Sequence, residues 1–235
     1  MEIKTAALIG LGAIGCTVAP FIQKVLGYEN VRIIAGGKRK ERIQNNPTIV
    51  NGVPYNFFVA DPQEKMEPTD IVFVTVKHAA LKQAVKDIAN QVGKDTIILS
   101  LMNGIDSEEC LGEAYGSDKL LYGLTWIGAI NKGTEFTFSD AGEGIMFGEK
   151  KNGEVLTERV SAVKRLFDKA GIKNSVPQDM IYCMWLKYMQ NVASNSTSAI
   201  IRGTYGYYKK IETVNNARIM LMKEVVKVSE KLGTE

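Results

Sequence analysis

Ile9-Gly10-Leu11-Gly12-Ala13-Ile14-Gly15 is the stretch that decides the fold. Its three glycines follow a short apolar run, residues 5–9, and precede residues 13–26, whose apolar spacing is helical. Strand, glycine turn and helix in that order form a cradle for a pyrophosphate. Gly10 permits the tight turn, Gly12 lets the backbone approach the phosphates, and Gly15 lets helix and strand pack closely. Leu11, Ala13 and Ile14 complete the loop, whose unpaired amides at a helix start favour an anion. The same residues have two competing readings. One is a plain glycine-rich turn; the other is an export signal, because residues 5–23 carry no charge. Met1-Glu2-Ile3-Lys4 has no net positive charge, however, and Gly10, Gly12, Gly15 and Pro20 sit at turn spacing, as strand–turn–helix requires.

Outward from the loop, strands and helices alternate. Residues 31–34, 70–76 and 96–100 are apolar runs, nearly continuous, as in a sheet covered on both faces. Residues 48–59 predict a β-hairpin turned at Asn51-Gly52, and residues 78–92 a helix. This alternation predicts an α/β fold with a Rossmann-type doubly wound sheet. Residues 120–130, 134–139 and 144–147 are β-rich and predict antiparallel additions to that sheet. Residues 154–170 form an amphipathic helical pattern, and 173–176 a last short strand. After Pro177 only helical patterns remain, at 178–201 and 211–232. The expected organisation is a nucleotide-binding domain over 1–177 and a helical substrate domain over 178–235. The 58 residues of the second domain bury little surface by themselves and must pack on something else, a second subunit among the options.

Composition excludes several classes. Among 235 residues, 29 Lys and Arg against 26 Asp and Glu leave a net charge of +3. That is too mild for a dedicated nucleic-acid or membrane-surface protein. Three cysteines without CxxC spacing and a single histidine, His78, argue against a disulfide framework and a structural metal site, and fit a reducing cytoplasm.

The end of the second strand selects the nucleotide. An NAD site usually offers an acid there for the ribose 2′-OH. This chain reads Ile34-Ala-Gly-Gly-Lys38-Arg39-Lys40, so Lys38 and Arg39 favour the 2′-phosphate of NADP. Lys77 and Asn103 follow two further strands, at the sheet edge where ligands bind. Lys77 sits at a helix start, where the dipole disfavours a cation, which points to function. Lys187, Asn191 and Asn195 recur at i, i+4 and i+8 on one helix face within a run almost free of charge. A polar cleft with Lys187 as an acid is one reading of that stripe; a hydrogen-bonded helix–helix contact is the other.

Together these pieces resemble the ketopantoate reductase family, from Lys4 to about Thr204. The carrying residues are Gly10 to Gly15, Val76-Lys77, Met102-Asn103-Gly104-Ile105, Gly123 to Ala129, and Trp185-Leu-Lys187-x-x-x-Asn191-x-x-x-Asn195. The resemblance implies that Lys77, Asn103 and Ala129 contact NADPH and that Asn103 also meets the substrate. It implies Lys187 as proton donor and Asn191 and Asn195 as substrate ligands. The expected reaction is reduction of 2-dehydropantoate to (R)-pantoate, or of a related small 2-oxo acid. A β-hydroxyacid dehydrogenase and a non-catalytic NADP-binding protein are the alternatives. Gly36 stands where the family often has Arg. The family's Ser and Glu in its last helices find no counterpart up to Glu235, so the helical domain is expected to be incomplete in this chain.

Overall fold

A computed structural model describes residues 1–139 and 142–234. The chain forms two compact units, Met1–Met180 and Ile181–Glu235. In the first, twelve strands are described: β1 (Ala6–Ile9), β2 (Val31–Ile34), β3 (Thr48–Val50), β4 (Val53–Tyr55), β5 (Phe58–Ala60), β6 (Ile71–Val74), β7 (Ile97–Ser100), β8 (Leu120–Trp126), β9 (Ala129–Lys132), β10 (Glu135–Phe138), β11 (Gly144–Gly148) and β12 (Asn174–Ser175). Its helices are α1 (Ala19–Leu26), α2 (Gly37–Asn45), α3 (Leu81–Asp87), α4 (Ser107–Tyr115) and α5 (Glu158–Lys169).

The main sheet runs β12-β11-β8-β7-β6-β1-β2-β5. The six strands from β8 to β5 are parallel. Taken in chain order they read 3-2-1-4-5-6, the doubly wound dinucleotide-binding arrangement. Alternate residues feed opposite layers. Leu8, Ile33, Phe73 and Leu99 pack with Ile22 of α1 and with Val163 and Phe167 of α5. Ala7, Ile34, Val72 and Ile98 pack with Leu81 and Ala84 of α3 and Leu111 of α4. Both faces are covered, which is why these strands read as continuous apolar runs.

Three expectations need correction. Residues 13–26 are not one helix: a single 3-10 turn, Gly15–Thr17, precedes α1. Pro20 has no N–H, and its ring would meet the carbonyl of Cys16, so a continuous α-helix cannot pass through it. Nor do all the late β segments join the main sheet. β11 pairs antiparallel with β8, as expected, but β8 itself is not an antiparallel addition: it lies parallel to β7 as the last strand of the doubly wound sheet, and β9 and β10 leave to form a second sheet, β4-β3-β10-β9. The pattern explains why. Glu135-Phe136-Thr137-Phe138 alternates polar and apolar, which suits a sheet with one wet face and not a doubly covered one. Asn51 and Gly52, both at positive φ, make the expected tight turn between β3 and β4.

The second unit consists of the helix α6 (Met180–Ile201) from Ile181 onward, the short α7 (Tyr207–Lys210) and α8 (Glu212–Lys231). A groove of about 530 Å³ between α6 and α8 is lined by Tyr182, Trp185, Met189, Val225 and Val226. No helix among the described residues is long and apolar enough to cross a membrane.

Candidate functional site

Register aligns the strand ends. Ile9 of β1 lies beside Ile34 of β2 and Val74 of β6, and Val74 lies beside Ser100 of β7. The loops that follow therefore leave one edge of the sheet together. The strand order reverses between β1 and β6, and a crevice opens at such a switch point.

The three glycines of the loop answer to different constraints. Gly10 has φ +104°, and a Cβ there would lie 2.6 Å from the carbonyl carbon of Thr75. A Cβ on Gly15 would lie 2.5 Å from the carbonyl oxygen of Gly10. Both are demanded by the protein's own backbone. Gly12 is not: the nearest atom to its would-be Cβ is 3.8 Å away. Its missing side chain leaves room for something other than protein, which fits a pyrophosphate at this point. Thr75 locks the turn, its Oγ1 donating to the carbonyls of Ile9 (3.1 Å) and Gly10 (2.8 Å).

Beyond β2 a cleft of about 410 Å³ is lined by Ala35, Gly36, Gly37, Arg39, Asp61 and Asp87 among others. Arg39 makes no ion pair among the described residues. The residue is exposed, yet partial desolvation, and then repulsion from Arg42, lower its pKa, so an anion beside it would be welcome. Lys38 is exposed and does not line the cleft. Sequence reasoning missed Asp61, because this acid reaches the tip of β2 from the end of β5. Its Oδ1 accepts from the Gln63 amide at 3.0 Å.

Lys77 is exposed just past β6, at the start of a 3-10 turn. His78 Nε2 lies 2.6 Å from Asp106 Oδ2, so the loop after β6 is tied to the loop after β7. That second loop carries Asn103, which is exposed, and Gly104 at φ +119°. The structure thus gathers the glycine loop, Lys77 and Asn103 at one sheet edge. Ala129 lies elsewhere, at the start of β9 in the second sheet, half-buried and paired with Phe138. Among the described residues no cluster of His, Cys, Asp and Glu could hold a metal ion.

Lys187 is the only charged residue of α6 and is 7% exposed. Burial lowers its pKa to about 8. Asn191 is half-buried on the same face, and Asn195 is exposed and accepts from the Tyr205 hydroxyl.

A parallel sheet in this order with a glycine cradle at its switch point defines a Rossmann nucleotide-binding protein. The family model described as "Ketopantoate reductase PanE/ApbA" matches residues 6–152, and the chain belongs to that family. A 2-dehydropantoate 2-reductase of Pyrococcus horikoshii is 28% identical over 230 residues, covering 96% of this chain and 73% of that one. A D-mandelate dehydrogenase solved with NADH and anilino(oxo)acetate superposes with TM-score 0.83 at 20% identity, over 98% of this chain and 75% of that one. A dimeric ketopantoate reductase from Staphylococcus aureus gives 0.78 at 16% identity, over 97% and 74%. At these identities the two structural likenesses are of fold alone. The chain spans about three quarters of the length of each of these proteins.

The glycine geometry separates two substitutions. Gly12→Val should fold with an unchanged Tm and lose nucleotide binding. Gly15→Val should lose thermal stability in the absence of any ligand, by several degrees or more, since backbone must move. Thermal melts with and without NADPH distinguish them; equal destabilisation by both would remove the argument for a phosphate at Gly12.

Proposed function

We propose that this protein is a cytoplasmic, NADPH-dependent reductase of 2-dehydropantoate to (R)-pantoate, or of a closely related 2-oxo acid. The observation that carries the reading is Lys187, one buried cation on an otherwise uncharged helix with its pKa brought down to about 8. An ammonium with that pKa is mostly protonated at neutral pH yet gives up its proton far more readily than an ordinary lysine. Family membership supports the reaction class.

Gly10 to Gly15 would hold the pyrophosphate, Arg39 rather than Lys38 the 2′-phosphate, and Lys77 and Asn103 the nicotinamide side. Bound NADPH supplies the hydride for the keto carbon. Lys187 Nζ donates a hydrogen bond to the carbonyl oxygen and then a proton as negative charge develops there, an effect worth about 10²- to 10⁴-fold in rate. Asn191 and Asn195 offer amide N–H groups to the carboxylate and hydroxyl of the substrate. The Asn195 carbonyl is already engaged by Tyr205, which leaves its NH₂ for a ligand. A panel of 2-oxo and 3-hydroxy acids with NADPH and NADP separates this reading from a β-hydroxyacid dehydrogenase, and tight NADPH binding without turnover on any of them would instead mark a non-catalytic nucleotide-binding protein.

The second unit exposes Tyr182, Met220, Val226 and Val228. Its apolar groove supports self-association through these helices, as a homodimer. Light scattering at micromolar concentration should give twice the 25.9 kDa chain mass, and Val226→Glu should restore the monomer. A monomeric wild type removes the proposal.

NADPH should bind at least tenfold tighter than NADH. Arg39→Ala should close most of that gap and Asp61→Asn should widen it, as read by nucleotide fluorescence. Equal affinities in the wild type defeat the assignment.

Lys187→Ala should reduce kcat by about 10² or more with little change in NADPH affinity. Because only protonated Lys187 can act as acid, wild-type kcat should fall as pH rises through about 8. Near-normal turnover in the variant would make the polar stripe structural.

A further inference from the structure

Glu108, in the first turn of α4, is 4% exposed, and its Oε1 has no hydrogen-bond partner among the described residues. Its other oxygen ends a chain of hydrogen bonds. Ser107 Oγ donates to Glu108 Oε2 at 2.9 Å, Ser100 Oγ lies 2.8 Å from Ser107 Oγ, and the Met102 amide donates to Ser100 Oγ at 3.4 Å. Each hydroxyl has one proton to give. With Ser107 committed to the carboxylate, Ser100 must donate to Ser107, and Ser100 then accepts from Met102. All three donors point toward Glu108. The chain starts at the backbone of Met102, next to Asn103.

We propose that Glu108 is a positioning residue: its carboxylate orients the Ser107–Ser100 relay and so sets the backbone of the loop that presents Asn103 to the nicotinamide side of the cofactor. This rests on the reading of Asn103 under the proposed function. Protonated, the Glu108 carboxyl no longer needs the Ser107 proton. Ser107 is then free to donate to Ser100 instead, and the Ser100 proton loses its fixed partner, so the loop is held less tightly.

The surroundings put this change within reach. Burial raises the Glu108 pKa to about 7, against the hydrogen bond from Ser107. The charged group that faces it is Asp106, which raises it further and is itself paired with His78. Among the described residues, the backbone amides of Glu108 itself and of Gly123 on β8 lower it, and from β7 comes the Ser100 hydroxyl, through Ser107. The sign follows: with a folded-state pKa above the unfolded one, native protein takes up a proton as pH falls through about 7. The relay is ordered above that pH and loosened below it.

The test is the NADPH dissociation constant from pH 5.5 to 9, by nucleotide fluorescence, for the wild type, Glu108→Gln and Ser107→Ala. Titration of the 2′-phosphate is common to all three, so differences between them isolate the relay. Wild-type affinity should exceed that of Glu108→Gln three- to tenfold above about pH 7 and converge on it as pH falls. The Gln amide is neutral, like the protonated carboxyl, so that variant should stay at the weak value throughout. Ser107→Ala cuts the relay and should also stay at the weak value throughout. A purely structural role would lower affinity relative to the wild type equally at every pH in both variants, and that result overturns the proposal. So does a wild-type pH response that persists in Glu108→Gln. Absence of NADPH binding by the wild type at every pH would instead sink the cofactor reading, and this proposal with it.

Discussion

The close approach of two backbones at the sheet's switch point governs this structure. The turn after β1 passes so near Thr75 and Val76 that a side chain at Gly10 cannot exist there, and Thr75 closes the gap by donating to the carbonyls of Ile9 and Gly10. Gly15 then comes so near Gly10 that it too can carry no Cβ. Two glycines are thus used up in folding the loop, and only the middle one is left over. Such a surplus is expected of a binding loop and not of a tight turn, since among the described residues nothing requires Gly12 to lack a side chain.

Much of this was legible in the sequence because it depends on neighbours in the chain. The order of β1, glycine loop and α1, the apolar runs of β6 and β7, and the Asn51-Gly52 turn all follow from local chemistry. What escaped depends on residues that meet only after folding. Asp61 arrives at the tip of β2 from another strand. Thr75 reads as the polar end of a strand until its register with Gly10 is known. Helix α4 shows little periodicity, with Leu111 as its main apolar anchor and Gly112 inside it. Glu108 sits in the string Asp106-Ser-Glu-Glu109, where any one acid looks as exposed as the next. The break before α1 was written in Pro20, but the surrounding apolar spacing masked it.

Lys187 and Glu108 share a physical circumstance on different units of the chain. Each is a buried ionisable group whose charged form is disfavoured, so the ammonium moves down to about 8 and the carboxyl up to about 7. Both shifts bring the groups into the range where protons are exchanged at neutral pH. Burying such groups costs stability, and sites that move protons are where that cost is commonly found.

The second sheet carries an implication for how the chain assembles. It is made from two excursions: β3 and β4 leave between β2 and β5, and β9 and β10 leave between β8 and β11. Its central pairing joins Ile49 to Glu135, residues far apart in the chain. Closing that loop is entropically expensive until the main sheet has brought both excursions to the same side. The four-stranded sheet is therefore a late piece of the folding sequence. By the same reasoning it is a unit that can open and reclose, exchanging its amide hydrogens, while the nucleotide-binding sheet stays intact.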